Sequence, residues 1–498
     1  MSTRGMCAPG GVDRRRRGLT LGLAATAVGG SWLGGQNALG RPRRSRVSLG
    51  RPAASSESFD DPWRAVPRIL ARIRPPKFPG RVFRVTDYGA SANGKSDARP
   101  AFNKAIAACN ASGGGRVVVP PGRYLLVGPI VFRSGVNLHL AKGATMIFGS
   151  EPRAYLPLVL VRWEGTRCYN YSPLIYGRGV RNVGITGEGT IDGGADEPHS
   201  GWHGLRGRGQ GPELGREHLR SMGRGGVPIE RRRFGENANL RPQLFHLYGA
   251  ENLLLEGVTF QGSPFWTVTP AFSRNITARG IRMYGAPEGV RKNDDGFNPD
   301  SCQDVLIEEA TFEGACDNVG IKAGRDNDAW GGMGSENIVI RRSTFNRGWG
   351  ALTIGSEVGG GIRNIFMEDN RIGEARYPLY IKSNAFRGGF VENVYVRNTK
   401  IGRAEECIRI EANYAEMASS PNASLLRNLD FENVTCESAS VVGIRSTGLP
   451  SAPITDLVFK GVTIGKTPVA TNIRNTRRAV FENVVINGLP VRGGWSGL

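Results

Sequence analysis

Asn293-Asp294-Asp295-Gly296-Phe297-Asn298-Pro299-Asp300-Ser301-Cys302 is followed by a short apolar run, Val305-Leu306-Ile307. A second acidic turn comes next, Ala315-Cys316-Asp317-Asn318, leading into Val319-Gly320-Ile321-Lys322-Ala323-Gly324. Two carboxylate turns thus flank one strand. In a coiled solenoid, turns one coil apart stack, which brings Asp295 and Asp317 together. Paired carboxylates on a rigid sheet suit cleavage of a glycosidic bond, one acid protonating the leaving oxygen and one base activating water. Acidic turns also occur as Asx turns with no chemical task, so spacing leaves both readings open.

The same kind of unit recurs on either side. Asn182-Val183-Gly184-Ile185, Asn252-Leu253-Leu254-Leu255, Asn275-Ile276-Thr277-Ala278 and Asp304-Val305-Leu306-Ile307 set the pattern. Repeats starting at Asn337, Asn364, Asn393, Asn428 and Asp456 continue it, and from Asn252 the spacings are 23, 29, 33, 27, 29, 35 and 28 residues. Each unit is an Asn or Asp, an alternating strand, a polar turn and a further apolar residue such as Phe260, Phe312 or Phe345. One unit cannot bury its inner face alone, whereas stacked units share a continuous core. Period-2 alternation sends Val305 and Ile307 inward. A propeller requires a more regular blade of four strands. The repeat therefore predicts an all-β, single-stranded parallel β-helix.

The chain has 498 residues with 71 Gly and a formal net charge of +21. Residues 1–80 hold 15 Lys+Arg and 4 Asp+Glu, about half of that excess. A basic body attracts a polyanion such as a uronic-acid polymer, and no nucleic-acid-binding module is present to favour the other common polyanion. Seven cysteines without a Cys-x-x-Cys pair argue against a zinc or redox centre, and no metal or cofactor is expected.

Arg14-Arg15-Arg16-Arg17 precedes the mildly apolar run Gly18–Val28, which predicts a twin-arginine export signal over residues 1–40. The run is shorter than a membrane span needs. The mature chain is expected to be a monomer without a span, periplasmic or extracellular. Residues 41–79, rich in Arg, Ser and Pro, read as a linker, and the folded body as 80–498. That body opens with a strand at Val82, a helix carrying Ala101, Phe102, Ala105 and Ile106, and a strand Val117-Val118-Val119. Such an opening caps a solenoid, whose first coil otherwise exposes its strand edges and core to water. The insertion 199–240 breaks the repeat with Trp202, His203, Arg206, Arg208, His218, Arg220, Arg224 and Arg231-Arg232-Arg233. Arg and aromatic residues can wall a sugar groove, or belong to a surface loop.

From about Phe83 onward the chain resembles glycoside hydrolase family 28, the polygalacturonases, and in particular their exo-acting bacterial branch. The family's Asn-Thr-Asp-Gly appears as Asn293-Asp294-Asp295-Gly296, and its Gly-Asp-Asp as Ala315-Cys316-Asp317. Its Gly-His-Gly appears as Gly348-Trp349-Gly350, and its Arg-Ile-Lys as Tyr380-Ile381-Lys382. The resemblance implies a right-handed β-helix and inverting hydrolysis of a pectic or related acidic polysaccharide. Asp295 and Asp317 are the implied catalytic pair holding the attacking water. Asn293, Cys316, Lys322, Asp326, Trp349, Glu357, Tyr380, Lys382 and Tyr414 are the implied substrate contacts. Cys316 occupies the place of the family's general acid, Trp349 that of its His and Tyr380 that of its Arg. Two readings follow. Either the acid is supplied by Asp294, Asp326, Asp328 or Glu357, with a less charged or bulkier sugar as substrate, or the groove binds polysaccharide without cleaving it.

Overall fold

The computed structural model describes residues 61–195, 202, 212–236, 238, 240–286, 293–314, 316–416 and 422–491. The expected export signal at 1–40 lies outside them, as do His203, Arg206 and Arg208.

Three rows of parallel strands wind into a β-helix. Along the first row, Val183, Leu253, Ile276, Val305, Ile338, Ile365, Val394, Leu429, Leu457 and Ala479 stand in register. The second row aligns Ile191, Phe260, Met283, Phe312, Phe345, Ile372 and Ile401. The third aligns Phe245, Val268, Phe297, Val319, Leu352, Leu379, Ile408 and Ile444. All these side chains enter one hydrophobic core, which explains why every coil needs the same alternation.

The recurrent Asn has a double task. Asn182, Asn252, Asn275, Asn337, Asn364, Asn393 and Asn428 all adopt positive φ, between 51° and 60°, a conformation Asn tolerates better than most residues. Their amides also hydrogen-bond from coil to coil. Asn252 donates to Asn182 at 2.8 Å, Asn275 to Asn252 at 2.6 Å, Asn393 to Asn364 at 3.0 Å and Asn428 to Asn393 at 2.7 Å.

Helix α1 (Ala65–Arg72) precedes the solenoid, and helix α2 (Arg99–Ala111) covers its first coil with Phe102, Ala105, Ile106 and Cys109. Asp97 Oδ1 accepts the Arg99 and Val127 N–H groups, each at 3.0 Å, fixing the start of α2.

The segment expected to be linker differs from that expectation over residues 61–79. Trp63, Val66, Ile69 and Ile73 of this segment form an apolar cluster with Leu306, Val339 and Phe366 on the outer face of the first row. Arg72 pairs with Asp304 at 2.7 Å. Arg74 N–H donates to Asn275 at 2.9 Å. The strap thereby interrupts the asparagine ladder and buries Leu306, whose alternation points it outward. The amphipathic spacing of its apolar residues outweighs the Arg and Pro that make it read as linker.

Candidate active site

The outward-facing residues of the third row form the site. Phe297 and Val319 pair across adjacent coils, and Gly296 N–H donates to Asp317 C=O at 2.9 Å. This register sets Asp295 one coil from Asp317. Both side chains are buried, at 6% and 5% exposure.

Each carboxylate has its own lysine. Lys382 Nζ lies 3.0 Å from Asp317 Oδ2, and Lys322 Nζ 3.7 Å from Asp295 Oδ2. Asn298 Nδ2 donates to Asp295 Oδ2 at 3.0 Å. The other oxygen of Asp317, Oδ1, is buried and has no hydrogen-bond partner among the described residues. Two close approaches make room for this arrangement. A Cβ on Gly320 would fall 2.3 Å from Asn298 Oδ1, and one on Gly350 would fall 2.1 Å from Thr353 Oγ1 and 3.0 Å from Asp317 Oδ1.

Asp295 holds its proton more tightly than an ordinary carboxyl. Burial raises Asp295, Lys322 lowers it, and the like charge of Asp317 raises it again, leaving it pushed up to about 7. Burial tends to discharge Lys382, but Asp317 beside it more than compensates and keeps the ammonium protonated.

Of the expected alternative donors, Glu357 is fixed as an anion. Burial would raise it, yet Lys322, Arg325, Arg387 and Arg220 together hold it far below the usual carboxylate range. Arg325 approaches Glu357 to 2.8 Å and Lys322 to 3.5 Å. Asp328 is likewise held down: burial opposes ionisation, but Arg232 at 2.7 Å and Arg167 at 3.3 Å outweigh it. Asp326 pairs with Arg387 at 2.7 Å. Asp294 Oδ2 accepts the Ala286 N–H at 2.9 Å.

The remaining expected residues each have defined partners. Asn293 Nδ2 donates to Glu164 at 3.1 Å, and its backbone N–H points to the Cys316 sulfur at 3.3 Å. Trp349 is half-buried, edge-on to Tyr377, with the Arg376 guanidinium 4.2 Å from its ring centroid. The Tyr380 hydroxyl donates to Glu411. Lys382 sits 4.8 Å from the ring centroid of Tyr380 and 5.3 Å from that of Tyr414.

The insertion contributes helix α3 (Pro212–Arg224). Arg220 reaches Glu164 at 2.8 Å, so Glu164 bridges α3 to Asn293, and Arg224 approaches Asp326 at 3.7 Å. Trp202 instead packs into the core against Tyr155 and Tyr171 and is 1% exposed, so it does not wall the groove.

Sequence reasoning missed several members of the site. Arg409 and Glu411 sit one coil beyond Tyr380 and Lys382, in register with them. The alternation Ile408-Arg409-Ile410-Glu411 repeats that of Leu379-Tyr380-Ile381-Lys382, a signal that was available. Glu164, Arg387 and Trp266, whose ring centroid lies 5.0 Å from Lys322 Nζ, carry no local signal.

Residues 231–482 match the family model for glycosyl hydrolases family 28, and residues 82–144 match one described as rhamnogalacturonase A/epimerase, pectate lyase-like. The chain is 28% identical over 396 residues to a probable polygalacturonase of Vitis vinifera, covering 76% of this chain and 73% of that protein. It is 24% identical over 454 residues to an exo-poly-alpha-D-galacturonosidase of Dickeya chrysanthemi, covering 82% and 71%. Among solved structures, a hyperthermoactive exopolygalacturonase of Thermotoga maritima superposes with a TM-score of 0.80 at 32% identity, covering 86% of this chain and 96% of that one.

Proposed function

Because the chain belongs to glycosyl hydrolase family 28 and is a glycoside hydrolase of polygalacturonan, we propose that it is an exo-acting, inverting enzyme whose catalytic pair is Asp295 and Asp317. The observation that carries this reading is the split in the environments of two neighbouring carboxyls. Two adjacent carboxylates in a buried site cannot both ionise freely, and the difference between their surroundings assigns their roles.

Asp317, facing the Lys382 ammonium, is the base. Its unpartnered Oδ1 accepts a hydrogen bond from the attacking water and takes its proton. Asp295 retains its proton up to about 7 and supplies it to the leaving oxygen, the task that Cys316 lacks a carboxyl to perform. Lys322, Lys382 and Tyr414 orient the sugar.

Exo action is supported by α3. Its bridge through Arg220 and Glu164 to Asn293 sets a helix beside the site, which agrees with a site that admits a chain end rather than an internal stretch. Export agrees with the arginine cluster at 14–17, and no helix of the described residues is long and apolar enough to cross a membrane.

The test is incubation of the purified chain with polygalacturonate and with galacturonate oligomers, with products resolved by anion-exchange chromatography. Short products released from one end from the first minutes are expected. Absence of new reducing ends from every pectic polymer overturns the hydrolase reading, and a broad early ladder of oligomers overturns exo action.

A further inference from the structure

The two sides of the site differ in how their charges are paired. On the Asn293 side, the buried cations Arg220, Lys322, Arg325 and Arg387 face the buried carboxylates Glu164, Asp326 and Glu357, together with Asp295. Arg220 there also pairs with Glu217 at 2.5 Å, and the cation beside the proton-holding Asp295 is Lys322, 3.7 Å away.

On the Tyr380 side the balance closes. Arg376 pairs with Glu405 at 2.5 Å, Arg409 with Glu411 at 2.8 Å, Arg445 with Glu406 at 2.8 Å and Lys382 with Asp317 at 3.0 Å. Four cations thus meet four carboxylates. Arg409 further touches Glu406 at 3.3 Å.

The rest of this half is aromatic. Trp349, Tyr377 and Tyr380 adjoin one another, with ring centroids 5.7 Å apart for Trp349 and Tyr377 and 4.9 Å apart for Tyr377 and Tyr380. Arg409 lies over Tyr377 at 4.6 Å, and Lys382 over Tyr380 at 4.8 Å. Position 380, where the resemblance places an Arg, carries a phenol that donates to Glu411.

From this asymmetry, and resting on the hydrolase reading above, we infer that the sugar bound on the Tyr380 side carries no free carboxylate. It is a neutral sugar or a methyl-esterified uronate, while the uronate of the cleaved unit lies on the Lys322 side.

The physical reason is the cost of a third charge. A free uronate entering the Tyr380 half would lose its water without gaining an uncommitted cation, and would stand beside the Glu411 and Glu406 carboxylates. A neutral ring pays neither cost. Its apolar face packs on Trp349, the most open of the three rings, while Tyr377 and Tyr380 are buried behind it.

The experiment compares three polymers as substrates for the full chain: fully de-esterified polygalacturonate, highly methyl-esterified polygalacturonate, and a galacturonate backbone alternating with a neutral deoxyhexose. Initial rates and mass-spectrometric product identity are read together. At least about tenfold higher kcat/KM on one of the two charge-reduced polymers is expected, a ratio within reach of one pocket contact. Whichever of the two is preferred identifies the source of the neutral sugar.

Tyr380→Arg should move preference back towards the de-esterified polymer by a similar factor. Tyr380→Phe, which keeps the ring, should preserve the wild-type preference and guards against a folding defect in the first variant. Equal or higher kcat/KM of wild type on de-esterified polygalacturonate overturns the inference while leaving the hydrolase reading intact. Failure to cleave all three polymers overturns that reading, and the inference with it.

Discussion

Lys382 Nζ and Asp317 Oδ2 lie 3.0 Å apart, from strands 65 residues distant in sequence. Register places Gly350 and then Tyr377 over Asp317, and Lys382, farther along the strand of Tyr377, reaches back to it with its long side chain. The contact engages one oxygen of Asp317 and leaves the other, Oδ1, without a hydrogen-bond partner among the described residues.

Asp317→Asn preserves shape and removes the base. A positioned acid or base contributes typically about 10²–10⁴-fold, so kcat should fall by that order on pectic substrate. Circular dichroism and the melting temperature should be nearly unchanged. Retention of full activity would show that the site has been misassigned.

Asp295 yields a pH prediction. Its proton is present below about 7 and lost above it, so kcat/KM should decline as pH rises through that value if Asp295 is the donor. Lys322→Met removes the cation that lowers Asp295, and the decline should move to higher pH. A profile that instead climbs through about 7 would make Asp295 a base.

Cys316→Asp places a carboxyl beside Asp317 where the family keeps its acid. With Asp295 already supplying the proton, turnover should change by less than about tenfold, well under the contribution of a newly acquired general acid. A gain of about 10²-fold or more, measured as initial rate, would show that wild type works without a donor and that Asp295 does not fill the role.

Gly350→Ala tests the space in front of the base. The added methyl would meet Thr353 Oγ1 at 2.1 Å and Asp317 Oδ1 at 3.0 Å, which displaces one of them. Displacement of about 1 Å at a catalytic group costs on the order of 10²-fold. Activity should fall sharply in a protein that still folds, and activity within about twofold of wild type would contradict the placement of Asp317.

Trp63→Ala addresses the strap. Trp63 packs on Phe366 with centroids 5.5 Å apart and lies under the Arg397 guanidinium at 3.9 Å. Removal of a buried aromatic costs about 3 kcal/mol, readable as a lower denaturation midpoint. An unchanged midpoint would show that the strap is loosely held.

Much of this architecture is legible in the residues themselves. The Asn at the head of each strand betrays the coil because only a few residues accept positive φ there, and the alternation after it fixes which side chains face inward. Asp295 and Asp317 can be brought together by counting coils, and Lys382 by its match to the Arg-Ile-Lys motif. Glu164, Arg220 and Arg387 cannot, since their contacts cross from irregular segments to strands, and no periodic rule governs such geometry. The strap was hidden differently. Trp63, Val66, Ile69 and Ile73 stand at helical spacing, but the surrounding Arg and Pro mask the pattern.

The strap also alters how the fold comes apart. In a stack where each coil touches only its two neighbours, loss of structure can begin at either end and progress coil by coil. Here one continuous stretch of chain touches Asn275, Asp304, Val339, Phe366 and Arg397 at once. Coils several steps apart share a common partner, so fraying one of them exposes apolar surface on the others. The central coils that carry the catalytic pair are splinted into a single melting unit, while the coils beyond Arg397 are left to breathe independently.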